Sequence, residues 1–338
     1  MADHGRIRLQ DIAAKAGVHK STVSLALRSN RKIKKDTRDK ILKIAMDMGY
    51  RPDTHLSNLM GYLRSAEQKK KDETIAYLRF ETPVSTNMDS IPFFWEFNQG
   101  AKSEFKRLGY KVEEFYLHEY EFNCKRLSQV LYNRGIKGIL VSPPVGVCSI
   151  EDFEWENFAA ITMGYRLRNP KLSRVVCDQI AIVRQVLERL ASLGYKKPLL
   201  AYRKGRDLHV NRRWSIAYEG SLHLFRNYNE VQVYAGDPGS EFVNHVRSQD
   251  VDCVIGLSYA FAKSLIDNHI SIPSDCGFAL LDKHDGPTGI TAIDQQPFFL
   301  GQLAARQLSG FLARNETGLP DNPFTLAIRP KWAEGNTL

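Results

Sequence analysis

Apolar residues between Leu9 and Tyr50 recur at helical spacing in three separate stretches. Leu9, Ile12, Ala13 and Ala16 follow the i, i+3, i+4, i+7 pattern of one helix face. Gly17 ends that stretch, because glycine accepts the left-handed conformation a tight turn needs. A second helix is predicted over Ser21 to Leu27, with Val23, Ala26 and Leu27 inward. A third runs from Lys35 to Met48, with Ile41, Ile44, Ala45 and Met48 inward and Gly49 just past its end. From Thr74 the texture changes to short apolar runs alternating with amphipathic ones. Strands are predicted at Ile75–Leu78, Lys111–Phe115, Gly138–Val141, Leu199–Ala201, Val231–Tyr234, Val254–Gly256 and Phe278–Leu281. Helices are predicted at Phe94–Leu108, Cys124–Asn133, Val183–Leu193 and Ser215–Phe225. Strands alternating with helices imply parallel sheets covered on both faces. The length of this part suits two such lobes better than one barrel. Ligands of these sheets bind at the carboxyl ends of the strands, here between the lobes.

Charge sharpens the division. The 338 residues carry a net charge of +9. Residues 1–71 hold 17 Lys and Arg against 7 Asp and Glu, whereas the remainder holds 30 against 31. The whole excess sits in the first fifth of the chain, which predicts a polyanionic partner for that segment, since Lys and Arg gain affinity by releasing counterions from phosphates. A merely solvated basic surface is the competing reading of charge alone.

Spacing within the segment adds to this. Ala13 is small where the first helix must approach the second, and Gly17 follows four residues later at the turn, as in a helix-turn-helix. His19, Lys20, Ser21 and Thr22 at the front of the second helix are polar and unneeded by the core, as expected of residues presented to base edges. The bland alternative is an ordinary three-helix bundle.

The segments LQDIAAKAGVHKSTVSLAL and TRDKILKIAMDMGYRP resemble the DNA-binding headpiece of the lactose-repressor/galactose-repressor (LacI/GalR) family. The shared pattern includes Asp11-Ile12-Ala13, Ala16-Gly17-Val18, Thr22-Val23-Ser24, Thr37-Arg38 and Gly49-Tyr50-x-Pro52. The resemblance implies that Lys20, Ser21 and Leu25 read the major groove, with Thr22, Ser24 and Lys32 contacting phosphate or bases nearby. Leu25 stands where a polar residue is usual; it suits a thymine methyl and cannot donate to guanine. Lys34 replaces the usual serine at the start of the third helix, so Asp36 is expected to supply the cap. In residues 53–72 the family forms a short hinge helix on operator DNA and wedges a leucine into the minor groove; Leu59 matches it. Asp53 and Leu56 depart from the usual asparagine and alanine. Docking of Leu56, Leu59 and Leu63 on the body is the alternative use of that stretch.

The body resembles the family's periplasmic-binding-protein-like sensor through GIKGILVSPP, LERLASLGYKKPLL and IPSDCGFALLD…ITAIDQQPFFLGQLAARQL. By that resemblance Asp282, at the end of a late strand, hydrogen-bonds an effector, usually a sugar or purine, and Gln295 makes another effector contact. The effector-binding arginine falls near Asn211, at Arg212 or Arg213. Ser258-Tyr259 replaces an Asn-Asp pair, and Lys283 replaces a second acid, which implies an anionic effector or an altered site. Phe93, Phe94 and Trp95 offer faces for stacking on a sugar ring or for core packing.

Other chemistry has little support. The five cysteines form no C-x-x-C pair, so neither a disulfide framework nor a zinc site is expected, and the thiols read as reduced. Phosphate-binding, dinucleotide, nucleophile-elbow and zincin motifs are missing, and His284 beside Asp282 makes a pair without a third member, so no enzyme activity and no cofactor are expected. The N-terminus lacks an apolar signal region and no membrane-length run occurs, so a cytoplasmic protein is expected. The expected architecture is an all-α helix-turn-helix headpiece (1–52), a hinge helix and linker (53–72) and an α/β body (73–338) of two doubly wound parallel-sheet lobes. The expected function is a regulator, a repressor by resemblance, binding a near-palindromic double-stranded operator as a homodimer under control of a sugar-like effector. The rivals are a plain solute-binding module and a DNA-binding regulator with a non-functional pocket.

Overall fold

The computed structural model describes residues 7, 9–27, 33–48, 50, 73–82, 90–144, 146–224 and 232–338. The N-terminal module consists of α1 (Leu9–Ala16), α2 (Lys20–Leu27) and α3 (Lys35–Asp47). Ile12, Ala13, Ala16, Val23, Ala26, Ile41 and Ala45 form its buried core. Four of these seven are alanines, so the helix backbones approach closely. Gly17 takes φ +68°, and the Val18 amide donates to the Ala13 carbonyl at 3.1 Å, the closing bond that a left-handed residue permits. Lys34 precedes α3 without any side-chain cap bond. The expectation that Asp36 caps α3 is corrected: it is the second residue of the helix, where a carboxylate faces the positive end of the helix dipole but is too far along to cap it.

The body runs in the order β1 (Glu73–Arg79), α4 (Pro92–Arg107), β2 (Tyr110–Tyr116), α5 (Cys124–Asn133), β3 (Gly138–Val141), β4 (Cys148–Ser149), β5 (Ala159–Met163), β6 (Leu167–Asn169) and β7 (Arg174–Cys177). There follow α6 (Gln179–Leu193), β8 (Pro198–Tyr202), α7 (Arg213–Ser221), β9 (Val233–Ala235), α8 (Ser240–Ser248), β10 (Cys253–Gly256), α9 (Tyr259–Asp267), β11 (Gly277–Leu280) and β12 (Ala292–Asp294). The chain closes with α10 (Pro297–Arg314), β13 (Thr325–Ile328) and β14 (Lys331–Ala333). One six-stranded sheet has the order β13-β7-β5-β3-β1-β2 and the other β14-β12-β11-β10-β8-β9, while β4 and β6 form a small two-stranded sheet. Every neighbouring pair is parallel except β12 with β14.

The period of two explains why these strands read as unbroken apolar runs. In β1, Ile75 and Tyr77 enter one core and Ala76 and Leu78 another. In β11, Ala279 joins the first of these cores while Phe278 and Leu280 join a third. At these central strands both faces of each six-stranded sheet are therefore dry, as parallel sheets require.

The chain passes between the lobes three times, after β7, β12 and β13, and polar bonds tie the crossings together. The Asp178 amide donates to the Ile328 carbonyl at 2.9 Å. The Gln179 side-chain amide donates to Gln295 Oε1 at 3.2 Å, and that of Gln296 to the Arg329 carbonyl at 2.8 Å.

Several elements differ from the sequence expectation. The helix expected over Ser215–Phe225 is α7, which ends at Ser221. The strand expected from Val231 begins at Val233, and 225–231 lie outside the described residues. Strands β4, β5, β6, β7, β12, β13 and β14 and helices α8, α9 and α10 are additional to the predicted set. The expected hinge, 53–72, lies outside the described residues, with Leu59 and Lys32. Among the described residues no helix is long and apolar enough to cross a membrane.

Candidate functional site

Two surfaces gather the candidate residues. On the headpiece, Lys20 and Ser21 are exposed in the first turn of α2, and Thr22, Ser24 and Leu25 are partly exposed behind them. Val23 and Ala26 hold the opposite side of the helix in the core, which leaves that row outward. His19 precedes the helix, and its Nδ1 lies 2.8 Å from Ser21 Oγ and 3.4 Å from the Ser21 amide. The imidazole thus occupies the position of a capping acceptor and orients Ser21.

The second surface is a cavity of about 170 Å³ between the lobes. Its walls come from the carboxyl ends of strands in both sheets: Met163 to Arg166 after β5, Cys177 after β7, Leu257 after β10, Leu281 and Asp282 after β11, and Gln295 after β12. Phe93 and Phe94, at the start of α4, complete an aromatic wall with Trp214. Trp95 does not line it and is 51% exposed. Such a lining, mostly apolar with a few converging polar groups, is that of a small-molecule site.

A relay of amides sets the orientation of the polar groups. The Trp214 indole can only donate, and it does so to Gln179 Oε1 at 2.6 Å. The amide end of Gln179 must then face Gln295 Oε1, leaving the Gln295 amide to donate to the Leu281 carbonyl at 2.9 Å. Asp282 Oδ1 accepts from the His284 amide at 3.0 Å and lies 2.8 Å from His284 Nδ1. His284 Nε2 is in turn 3.1 Å from Glu96 of α4, in the other lobe. The third member of the Asp282–His284 pair is therefore a second carboxylate rather than a nucleophile.

The arginines differ most from the sequence expectation. Arg212 and Arg213 do not line the cavity; Arg166 and Arg206 do. The Asp207 carboxylate holds the Trp214 amide at 3.2 Å and the Ser215 hydroxyl at 2.5 Å, and this fold of the segment takes Arg212 out to solvent. Arg213 lies over the Tyr165 ring, 4.5 Å from its centre, behind the cavity wall. Arg166 donates to the Pro144 carbonyl at 3.0 Å and lies 5.4 Å from the centre of the Phe94 ring. Burial and the nearby Arg206 charge pull its pKa down to about 10. His209, also in the lining, is pulled down to about 4 by burial and by the charges of Arg166 and Arg206, so it is neutral at pH 7.

Ser258 is likewise not part of the lining. Its hydroxyl caps α9 at the Ala260 amide, 3.4 Å away, and bonds Asp285, which also accepts from the Tyr259 amide at 3.1 Å. Lys283 turns away to pair with Asp294 at 2.8 Å. Asp282, Gln295 and Phe94 are thus brought together with Arg166, Arg206, His209, Tyr165, Gln179 and Trp214, which carried no local signal in the sequence. They lie on different loops and meet only because both sheets present the same edge to the cleft. No group of three His, Cys, Asp or Glu side chains suited to a metal occurs among the described residues.

Residues 8–53 match the sequence model of the family described as "Bacterial regulatory proteins, lacI family". No curated protein shows significant sequence similarity to the chain. Among solved structures, a complex of the transcriptional regulator CelR with cellobiose is 20% identical, covers 98% of this chain and 100% of its own, and superposes with a TM-score of 0.57. The lac repressor dimer bound to operator and the anti-inducer ONPF is 16% identical, with 98% of each chain covered and a TM-score of 0.58. A LacI-family regulator from Enterococcus faecium with bound ribose is 17% identical, covers 78% of this chain and 98% of its own, and gives 0.59. Residues 8–53 thus carry the helix-turn-helix domain that the lacI family model describes, and the rest of the chain has the fold seen in these regulators.

Proposed function

We propose that this protein is a cytoplasmic, non-enzymatic transcriptional repressor, a homodimer that binds a near-palindromic double-stranded operator and responds to a sugar-like effector held between its lobes. The observation that carries the reading is the outward polar row of α2 on a module that, together with the linker after it, holds all the chain's excess positive charge. In the domain division we adopt, the headpiece spans 1–52, the hinge 53–72 and the effector body 73–338. Lys20, Ser21 and Leu25 read base edges, Thr22, Ser24 and Lys32 hold the backbone, and Leu59 wedges the minor groove. Asp282 and Gln295 hydrogen-bond the effector and Phe94 stacks on it, while Arg166 and Arg206 replace Arg212 and Arg213 as its basic contacts. Ser258 acts one step behind, by holding Asp285.

Support for a sugar-like effector comes from the relatives bound to cellobiose and ribose, and support for a dimer on DNA from the lac repressor complex. Ligand control follows from the placement of the cavity. A molecule touching both lobes favours the closed arrangement by its differential affinity for it, and by nothing else.

The test is selection of a random duplex pool on the full-length protein. Enrichment of a near-palindromic motif that is bound more tightly than random DNA is the expected result. Lys20→Ala should cost about 1–3 kcal/mol on that motif and relax the preference at one base pair of each half-site. Equal affinity for selected and random duplexes sinks the reading.

A further inference from the structure

We infer that the effector is an acid: a polyhydroxylated molecule whose carboxylate or phosphate is gripped between Arg166 of one lobe and Arg206 of the other. The inference rests on the effector reading above and names the chemistry of that same site. Two arginines, Arg166 and Arg206, line one cavity beside the neutral His209. Arg166 follows β5 in the first lobe, whereas Arg206 and His209 lie on the loop after β8 in the second. Among the described residues Arg206 forms no hydrogen bond or ion pair through its guanidinium. Its charge is felt both at Arg166 and at Asp285.

The acids that face the same space are already engaged. Asp282 Oδ1 is held by the amide and ring of His284. Asp285 is held by Ser258 and the Tyr259 amide. Lys283, the basic residue that stands out in the sequence, is paired with Asp294. Two like charges from opposite lobes therefore line one cleft, and an anion between them offsets their mutual repulsion. A guanidinium fork matches a carboxylate or a phosphate in two parallel bonds. The second carboxylate oxygen of Asp282 is free of the His284 bonds and suits a hydroxyl donor, and Phe94 and Trp214 give apolar faces for a carbon skeleton. Anion at one end and hydroxyls at the other describe a sugar acid or a sugar phosphate. By bridging the arginines, such a ligand turns cross-lobe repulsion into attraction and closes the cleft.

The experiment is calorimetric titration of the full-length protein with glucose, gluconate, glucuronate, glucose 6-phosphate, ribose, ribose 5-phosphate and inorganic phosphate. At least one acid or phosphate ester should bind about 10-fold or more tightly than its neutral parent, the factor expected for one charge-assisted contact. The sugar acids and the phosphate esters separate the two anion sources. Arg206→Gln should weaken that ligand about 10- to 100-fold, and Arg206→Lys should restore part of the loss; Arg206 is exposed, so both variants are expected to fold. A neutral sugar bound as tightly as its acid, an affinity unchanged in Arg206→Gln, or silence from every acid and ester overturns the inference. Duplex selection on the same preparation keeps the outcomes apart. Selected DNA bound normally leaves the regulator reading standing when the acid inference falls.

Discussion

His284 sits between two carboxylates that come from different lobes, Asp282 beside it in sequence and Glu96 on α4. Burial on its own lowers the imidazolium pKa, but the hydrogen bond and charge of Asp282 and the charge of Glu96 outweigh both burial and the opposing Lys283, so the pKa is raised above 6.5. The folded state therefore favours the protonated ring. The stability it contributes is fully present below the ordinary histidine value and is lost as pH rises through the raised folded value. His284→Gln should narrow its stability deficit against the parent chain as pH is taken from about 6 to about 9, read from urea midpoints at each pH. A deficit that stays constant across that range would show that the bridge is not ionic. In the sequence His284 has Asp282 two residues before it and Asp285 directly after it. Its second partner is nearly two hundred residues away, and no local pattern could have named it.

At the scale of elements, α4 and α10 are the central pair of the first lobe. Gly100 of α4 and Gly301 of α10 lie where the helices cross. A Cβ on Gly100 would overlap the Phe298 carbonyl, and one on Gly301 the Phe97 carbonyl and the Ala101 amide. These are backbone atoms that cannot swing aside. Glu104 of α4 adds an ion-paired rivet, meeting Arg306 of α10 and Arg107, each at 2.7 Å. Those bonds hold its carboxyl down at about 2 despite burial. Gly301→Ala, normally a benign change in a helix, should cost about 3 kcal/mol through overpacking. Thermal melting would show it, and an unchanged Tm would mean that the helices do not cross so closely. The sequence made α1 and α5 legible almost to the residue, because their apolar spacing is clear. It hid β5 and β7, because AAITM and RVVC are short and dry on both faces and so show no alternation.

For the whole molecule, charge and architecture divide the work. The body is close to neutral and the first 71 residues carry the excess of Lys and Arg. Affinity for random duplex should therefore fall steeply with salt, by roughly 10³-fold between 50 and 200 mM if about six phosphates are neutralised, measured by fluorescence anisotropy. A nearly flat salt dependence would show that the basic segment does not engage the backbone. The three crossings between lobes are bonded to one another through Gln179, Gln295, Gln296 and Asp178.

The bipartite plan, the helix-turn-helix with its outward row, the parallel two-lobed body and the position of Asp282 at a strand end all follow from local signals: period, glycine placement and charge balance. These are properties of neighbours in the chain, so they survive without knowledge of the fold. The basic side of the cavity belongs to the other kind of information. Arg212 and Arg213 looked right by position, but the Asp207 turn directs them elsewhere, and Arg166 and Arg206 meet only when two sheets bring their carboxyl edges together. A cavity wall is assembled from contacts far apart along the chain, and packing alone decides which charges face one another there.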